Sequence, residues 1–558
     1  MVLIEEKKTK KIPGETSLFV SFQYDAQIVS EIKTLSLAIY DKKTSTWELP
    51  LTLLSELIDK LSILSDIKLV CLKDKEEKLD TVYKLSKSKT KPFEYQEQGI
   101  QYGLNHDAWL LLDAPGLGKT LQIIILAAEL KKREKLKHCL VICGVNTLKT
   151  NWKKEIEKHS DLSCVILGEK INSKGNISYG SIKDRLDQLK SNIKEFFVIT
   201  NIETLRDDKI LKELQSGKNE FDMIVVDEIH KCKSCTSIQS KHLLKLNNIK
   251  YRIGLTGTLL LNNPLDTYIP LKWIGADRAT YSNFKYYYCV YGGRFNNELL
   301  GFKNIKYLKQ QIDKYSLRRT KDLLDLPPKN IIVEYVDMSE RQQAFYNNIK
   351  QGIVAEVDKV HISTASILGM VSRLRQATAC PSILTTEPIE SSKIVRACDL
   401  VDQILSQENK VVIFSTFKDT LNELEKKLKN YNPLVCTGDV KDNIISNNIE
   451  LFQNDDTHRV LLATWQKMGT GVTLTAASSM IFIDTPWTDA QFTQCCDRIY
   501  RIGTTNKVFI YTLVCKDTID ERVLEIVNDK QLISDYIIDD KVSPQFADRL
   551  KQMILELN

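Results

Sequence analysis

At 558 residues the chain is too long for one hydrophobic core, and about three to four domains are expected. Its 43% hydrophobic and 27% charged residues are ordinary for a globular protein, and its apolar runs stop short of the roughly 18 residues of a membrane span, so no membrane partner is expected. The 78 Lys and Arg against 72 Asp and Glu leave a net charge of +6, which permits nucleic-acid binding but fits a plain solvated surface equally well.

The first segment, residues 1–15, is rich in Lys and Glu and reads as flexible, with no secretory leader. Next, Leu18–Phe22 alternates as a strand, while Ile28, Ile32 and Leu35 recur at helical spacing. After the turn Asp41–Thr44 come a second strand, Trp47–Pro50, and a helix from Leu53 to Leu64. Residues 16–70 therefore form a small α+β module. A charged linker follows at 71–91.

From residue 92 strands alternate with helices. Buried-strand candidates are Leu110–Leu112, Cys139–Cys143, Cys164–Leu167, Phe196–Thr200, Met223–Val226 and Arg252–Leu255, the pattern of a doubly wound parallel sheet over 92–325. Within it, the run Tyr286-Tyr287-Tyr288 fits core packing better than a base-stacking platform. Residues 326–391 read as a helical protrusion and linker. A second parallel-sheet block spans 392–530, with strands at Val411–Ser415, Leu434–Thr437, Val460–Thr464, Met480–Asp484 and Val508–Thr512. A helical tail closes the chain at 531–558. The fold class is thus α/β, two tandem doubly wound lobes behind a small α+β module.

Thirteen scattered cysteines show no paired framework, which points to a reducing compartment: the cytoplasm of a bacterial or viral host, or the nucleus of a eukaryote. Cys232-x-x-Cys235 has metal spacing but no second pair, so zinc is not expected.

The chemistry centres on Trp109–Gln122. An apolar strand runs into a turn bracketed by Gly116 and Gly118, and Lys119-Thr120 opens an apolar helix. Such a turn lets backbone amides surround a phosphate at a helix N-terminus, with Lys119 on the β/γ-phosphates and Thr120 on Mg²⁺. Asp113 and Ala114 stand where the strict phosphate-loop pattern begins with glycine, so only the shorter Gly-x-Gly-Lys-Thr core matches. Asp227-Glu228-Ile229-His230 follows a strand. There Asp227 can hold Mg²⁺ and Glu228 can deprotonate an attacking water. Thr256-Gly257-Thr258 after the next strand can sense those carboxylates. In the second block, Gly469 and Gly471 bracket a turn. If this stretch is helical, Arg498 and Arg501 sit one turn apart on the same face and can meet a γ-phosphate held by the first block; the plain alternative is a pair of surface arginines.

Taken together these motifs resemble the seven-motif set of superfamily-two helicases, and specifically the Swi/Snf-family ATPases, from about Phe93 to Arg522. The resemblance runs through Phe93-x-Tyr95-Gln96, Asp113–Thr120, Asn151-Trp152 with Glu155, Ile199–Leu205, Asp227–His230 and Thr256–Asn263. It continues through Leu317-Arg318-Arg319-x-Lys321 to Lys329, Leu374–Ala377, Val411–Ser415, Thr464–Ala476 and Gln494–Gly503. Departures are mild: Ala114-Pro115, Ile229, Tyr500 and Thr504 replace the usual Glu-Met, Ala or Ser, His, and Gln.

The resemblance implies ATP and Mg²⁺ as cofactors, with Lys119, Asp227, Glu228, Arg498 and Arg501 catalytic. Nucleotide binding falls to Gln96, Gly116, Gly118, Lys119, Thr120, Gly469 and Gly471, and metal binding to Thr120 and Asp227. DNA contacts fall to Thr200, Asn201, Ser415, Thr464 and Trp465, and coupling to Thr256, Gly257, Thr258 and Gln494. The amino-terminal pattern Phe19-x-x-Phe22-x-Tyr24-Asp25, then Tyr40-Asp41-x-x-Thr44-x-x-Trp47 and Leu49-Pro50, resembles the HARP (HepA-related protein) domain of annealing helicases. It implies a monomer acting on double-stranded and branched DNA. Two alternatives share these motifs: a duplex translocase that displaces bound proteins, and a nucleotide-gated DNA clamp without turnover.

Overall fold

The computed structural model describes residues 1–8, 16–35, 38–42, 44–50, 53–70, 81–134, 136–144, 146–171, 177–216, 218–257, 264–277, 279–292, 298–324, 326–357, 364–407, 409–468, 472–487, 489–528, 537–538, 541–542 and 552–556. Two parallel sheets dominate it. The first has seven strands in the order Ser316–Leu317, Ala108–Leu111, Tyr251–Leu255, Phe221–Asp227, His138–Cys143, Phe197–Asn201, Cys164–Ile166. The second has six, in the order Lys329–Val336, Val508–Cys515, Ser479–Phe482, Val411–Ser415, Val460–Thr464, Leu434–Cys436. All pairings in both are parallel.

Central strands such as Val411–Ser415 are buried at every position, because helices cover both sheet faces and each face needs apolar side chains. Alternate residues feed two cores on opposite faces: Leu110, Leu140 and Ile224 on one side of the first sheet, Trp109, Val141 and Val225 on the other. A parallel sheet gathers all its strand carboxyl ends on one edge, the edge where ligands bind in such folds. Among the described residues, no helix is long and apolar enough to cross a membrane.

Four expectations are corrected. Within 1–15, Val2–Lys8 is not flexible: it is a strand, antiparallel to Thr16–Phe22 and parallel to Ile67–Val70, with Val2 and Ile4 buried. Residues 9–15 lie outside the described residues. The amino-terminal unit is thereby a five-stranded sheet carrying two helices, Ala26–Thr34 and Leu54–Leu61.

Of the linker 71–91, residues 71–80 lie outside the described residues, and 81–91 are strapped to the first lobe. Tyr83 N donates to Gln101 Oε1 at 2.8 Å, Ser86 N donates to Glu129 Oε1 at 2.7 Å, and Leu85 packs on the core. Side-chain acceptors here replace the secondary-structure partners that an extended segment lacks.

Residues 326–391 are not wholly helical, since Lys329–Val336 pairs along its full length with Val508–Cys515 as an edge of the second sheet. Helices Glu340–Val357 and Thr364–Ala379 then form a separate core with Ile519–Asn528, joined by Met553 and Ile554. In the tail, Ile537–Ile538 and Lys541–Val542 form a small hairpin instead of a helix, and the turn at 552–555 is helical.

The tyrosine run divides as its packing requires: Tyr287 and Tyr288 are buried and Tyr286 is exposed. Phe284, Tyr287, Leu308 and Ile312 belong to the same apolar core as Leu53 and Leu57 of the amino-terminal unit. Tyr287 Oη donates to Glu56 Oε2 at 2.5 Å across that junction.

Candidate nucleotide site between the lobes

The cradle follows the strand Ala108–Leu111. Gly116 and Gly118 adopt φ of 89° and 73°, left-handed values that side-chain-bearing residues rarely take. Space demands glycine as well: a Cβ on Gly116 would lie 2.7 Å from Arg501 Cβ, and one on Gly118 would collide with the Gln96 amide. Gln96 is buried, donates through Nε2 to Leu117 O at 3.1 Å and accepts from Phe93 N at 3.0 Å, so it braces the turn from behind. Lys119 opens its helix and donates to Asp113 O at 2.8 Å. Burial pushes its ammonium pKa down, while Glu228, Asp227 and Asp113 oppose that shift.

Asp227 ends the strand Phe221–Asp227. Trp152 Nε1 donates to its Oδ2 at 2.8 Å and Glu228 N donates to its Oδ1 at 3.0 Å. Burial, and then the Glu228 charge, push its pKa up to about 6. Glu228 adopts φ 55°, ψ 50°, a left-handed conformation that marks a constrained site. Gly144 makes room for it, since a Cβ there would approach Glu228 Cβ to 2.8 Å. His230 Nδ1 lies 3.3 Å from Glu228 Oε2 and 2.9 Å from Thr256 Oγ1. Burial drives the His230 pKa down to about 3, so the ring is neutral at physiological pH.

The second lobe brings its arginines to the same place, though not on a helix as expected: the helix Asp489–Cys496 ends before them and both lie on the turn that follows. Arg498 is buried, donates from Nε to Gln494 O at 3.0 Å and from Nη1 to Val472 O at 3.2 Å, and feels the charges of Glu228 and Asp227. Arg501 lies against Gly116, and burial with the neighbouring Arg498 brings its pKa down to about 10, still protonated at neutral pH. Lysine, carboxylates and both guanidiniums thus converge across one interlobe cleft.

The other expected residues fall into three groups. Thr120 opens the helix beside Lys119, and Gly257 packs where a Cβ would meet Pro115 Cδ at 2.7 Å. Thr258, Gly469 and Gly471 lie outside the described residues. The residues expected to touch DNA stand at strand carboxyl ends but are engaged internally. Thr200 Oγ1 donates to Thr204 at 2.9 Å, Asn201 Oδ1 accepts from Arg185 at 2.9 Å, and Ser415 Oγ donates to Asp484 at 2.6 Å. Thr464 is buried, and Trp465 Nε1 donates to Thr416 at 3.1 Å. Residue type and order did not foretell the buried partners Asp484 and Gly144, or the hydrogen bond from Trp152 to Asp227.

Thr120 and Asp227 offer a hydroxyl and a carboxylate, hard oxygen donors that suit Mg²⁺ shared with phosphates and water. Among the described residues, no group of three His, Cys, Asp or Glu could cage a metal alone. The donor set fits a phosphate-borne ion.

The SNF2-related domain family matches residues 95–383, and the helicase conserved C-terminal domain family matches residues 392–503. An uncharacterized ATP-dependent helicase of Mycoplasma genitalium is 27% identical over 80% of this chain and 42% of its own length. The ATP-dependent helicase FUN30 of Saccharomyces cerevisiae is 25% identical over 83% of this chain and 49% of its own length. This chain spans less than half of each of these two relatives. A solved structure, the Sulfolobus solfataricus SWI2/SNF2 ATPase core in complex with dsDNA, is 25% identical, covers 85% of this chain and 98% of its own, and has a TM-score of 0.37. Both family matches begin after the amino-terminal sheet.

Proposed function

The chain belongs to the SNF2-related family, and from that premise we propose that it is a DNA-dependent ATPase that moves along double-stranded DNA and remodels branched DNA. One observation carries the ATPase reading: Lys119, Asp227 and Glu228 of the first lobe meet Arg498 and Arg501 of the second across a single cleft.

In this reading the glycine turn and Lys119 bind the β/γ-phosphates, with Gln96 behind the turn on the adenine side. Thr120 and Asp227 hold Mg²⁺, which when bound offsets charge on the phosphates. Glu228 accepts a proton from the attacking water, and neutral His230 fixes its carboxylate and passes its state to Thr256. Arg498 and Arg501 stabilise charge on the transferring phosphoryl group. Gly469, Gly471, Gly257, Thr258 and Gln494 complete the nucleotide and coupling sets. Lobe closure and reopening then step the chain along DNA.

DNA is held mainly by its phosphates, so binding is salt-sensitive and hardly sequence-selective. Because Thr200, Asn201, Ser415 and Trp465 are committed to internal bonds and Thr464 is buried, they shape the strand-end loops that meet the backbone. The amino-terminal sheet, read as a HARP-like module, directs the motor to junctions, where a single copy anneals strands, regresses forks and drives branch migration.

The test is phosphate release with a fork, a four-way junction, linear duplex or no DNA. Stimulation strongest with fork or junction is expected, and strand annealing accompanies it. Equal stimulation by linear duplex shifts the reading to a translocase that displaces bound proteins. No stimulation, with Glu228→Gln indistinguishable from the unsubstituted chain, leaves a nucleotide-gated clamp.

A further inference from the structure

The segment joining the two lobes carries a pair of contacts that the phosphate chemistry does not require. After the strand Ser316–Leu317, Arg319 turns toward the first lobe. Its Nε and Nη2 donate to Asp113 Oδ1 and Oδ2 at 2.9 and 2.6 Å, Nη2 also meets Gln122 Oε1 at 2.7 Å, and its carbonyl accepts from Ala114 N at 2.9 Å. Asp113 is fully buried. The start of the glycine turn is therefore tied to the connector by main chain and side chain together.

Two residues on, Lys321 turns the other way. Its Nζ lies 2.5 Å from Asp497 Oδ1, donates to the Tyr500 carbonyl and lies 5.0 Å from the centre of the Tyr500 ring. Asp497 is buried, with 4% of its side chain exposed, and 17% of the Lys321 side chain is exposed. The position is specific. Asp497 immediately precedes Arg498, and Tyr500 immediately precedes Arg501. The helix Asp489–Cys496 has just ended, so the arginines ride on a turn. One ammonium grips the residue before each arginine, and its Cε would be 3.8 Å from a Cβ on Gly116.

We infer that Lys321 is a positioning residue. With Arg319 it forms a strut that sets the arginine turn of the second lobe onto the glycine turn of the first, so the spacing of the two half-sites is held by the connector as well as by nucleotide. The inference rests on the ATPase reading. It adds that alignment of the arginines depends on a residue that touches no phosphate.

The test is a double-mutant cycle on DNA-stimulated phosphate release, with nucleotide affinity measured separately by a fluorescent ATP analogue. Lys321→Met lowers kcat about 10- to 100-fold with KM and analogue affinity within about threefold, because arginine alignment acts in the transition state. Asp497→Asn acts in the same direction, and the double variant is no worse than the poorer single one, since the two groups work as a unit. In the Lys321→Met background, Arg501→Ala costs far less than it does alone. A general loss of folding would instead lower analogue affinity and activity together. Should Lys321→Met not fold, Lys321→Gln, which keeps a donor, takes its place and recovers part of kcat. Full activity in these variants, or multiplicative losses across the cycle, overturns the inference. Absence of DNA-stimulated hydrolysis in the unsubstituted chain overturns the ATPase reading and the inference with it.

Discussion

The two lobes share a parallel sheet, yet each has a strand-end aspartate in a very different state. In the first lobe Asp227 receives one indole N–H and one backbone N–H, and burial holds its pKa near 6. In the second, Asp484 follows the strand Ser479–Phe482 and accepts from Ser415 Oγ at 2.6 Å, from Thr416 N at 3.0 Å, from the Thr416 hydroxyl and from Arg375 Nη2 at 3.3 Å. Comparable places near a strand's carboxyl end thus hold one carboxylate with two protein donors and one saturated by them. Donor count, more than fold, separates the aspartate proposed to hold a cation from the one that holds structure.

That contrast is easiest to break with substitutions in the two lobes. Glu228→Gln should lower stimulated phosphate release about a thousandfold, the scale of losing a general base, with ATP binding retained. Arg375→Ala should act on stability instead. It strips Asp484 of its cation and should lower the unfolding free energy by about 3 kcal/mol in a denaturant titration, leaving turnover per folded molecule near normal. A reversal of these outcomes would mean that the two aspartates have been assigned to the wrong tasks.

A pH series sharpens the same point. Asp227 has a raised pKa, so below about 6 it is protonated, and the Mg²⁺ proposed to bind there would have to displace that proton. The Mg²⁺ concentration for half-maximal turnover should rise about tenfold per pH unit below that value and level off above it. In the metal-free chain the sign is fixed as well: this carboxyl stabilises the fold while protonated, and that contribution is lost as pH rises through about 6.

Gly116→Ala should cost about 1–2 kcal/mol for its left-handed backbone and slow turnover by pushing against Arg501. The smallest effect is expected at the amino-terminal junction, where Tyr287→Phe removes the bond to Glu56 and should cost about 1 kcal/mol by thermal denaturation. Because that unit shares an apolar core with Phe284 and Ile312, deleting residues 1–70 should lower the melting temperature as well as junction preference.

The interior strands of both sheets were legible because burial on two faces writes them as continuous apolar runs, as in Val411–Ser415. Strands with an exposed face or with buried residues set among charges carry no such mark. Lys329–Val336 leaves Ile331, Val333 and Tyr335 exposed and follows two prolines, so it reads as a connector. Val2–Lys8 hides its two buried side chains among charges. Glycine, lysine and the Asp-Glu pair announced the nucleotide half-site because phosphate chemistry restricts residue type. The strap at 81–91 and the Lys321–Asp497 bridge did not, since long-range partners leave no local pattern.

The claim at the centre is that one nucleotide is shared by both lobes. Single-turnover phosphate release by Arg501→Ala on forked DNA, with ATP affinity measured alongside, addresses it most directly. A fall of about a thousandfold in release with affinity changed only a few-fold is predicted. Release near that of the unsubstituted chain would contradict it.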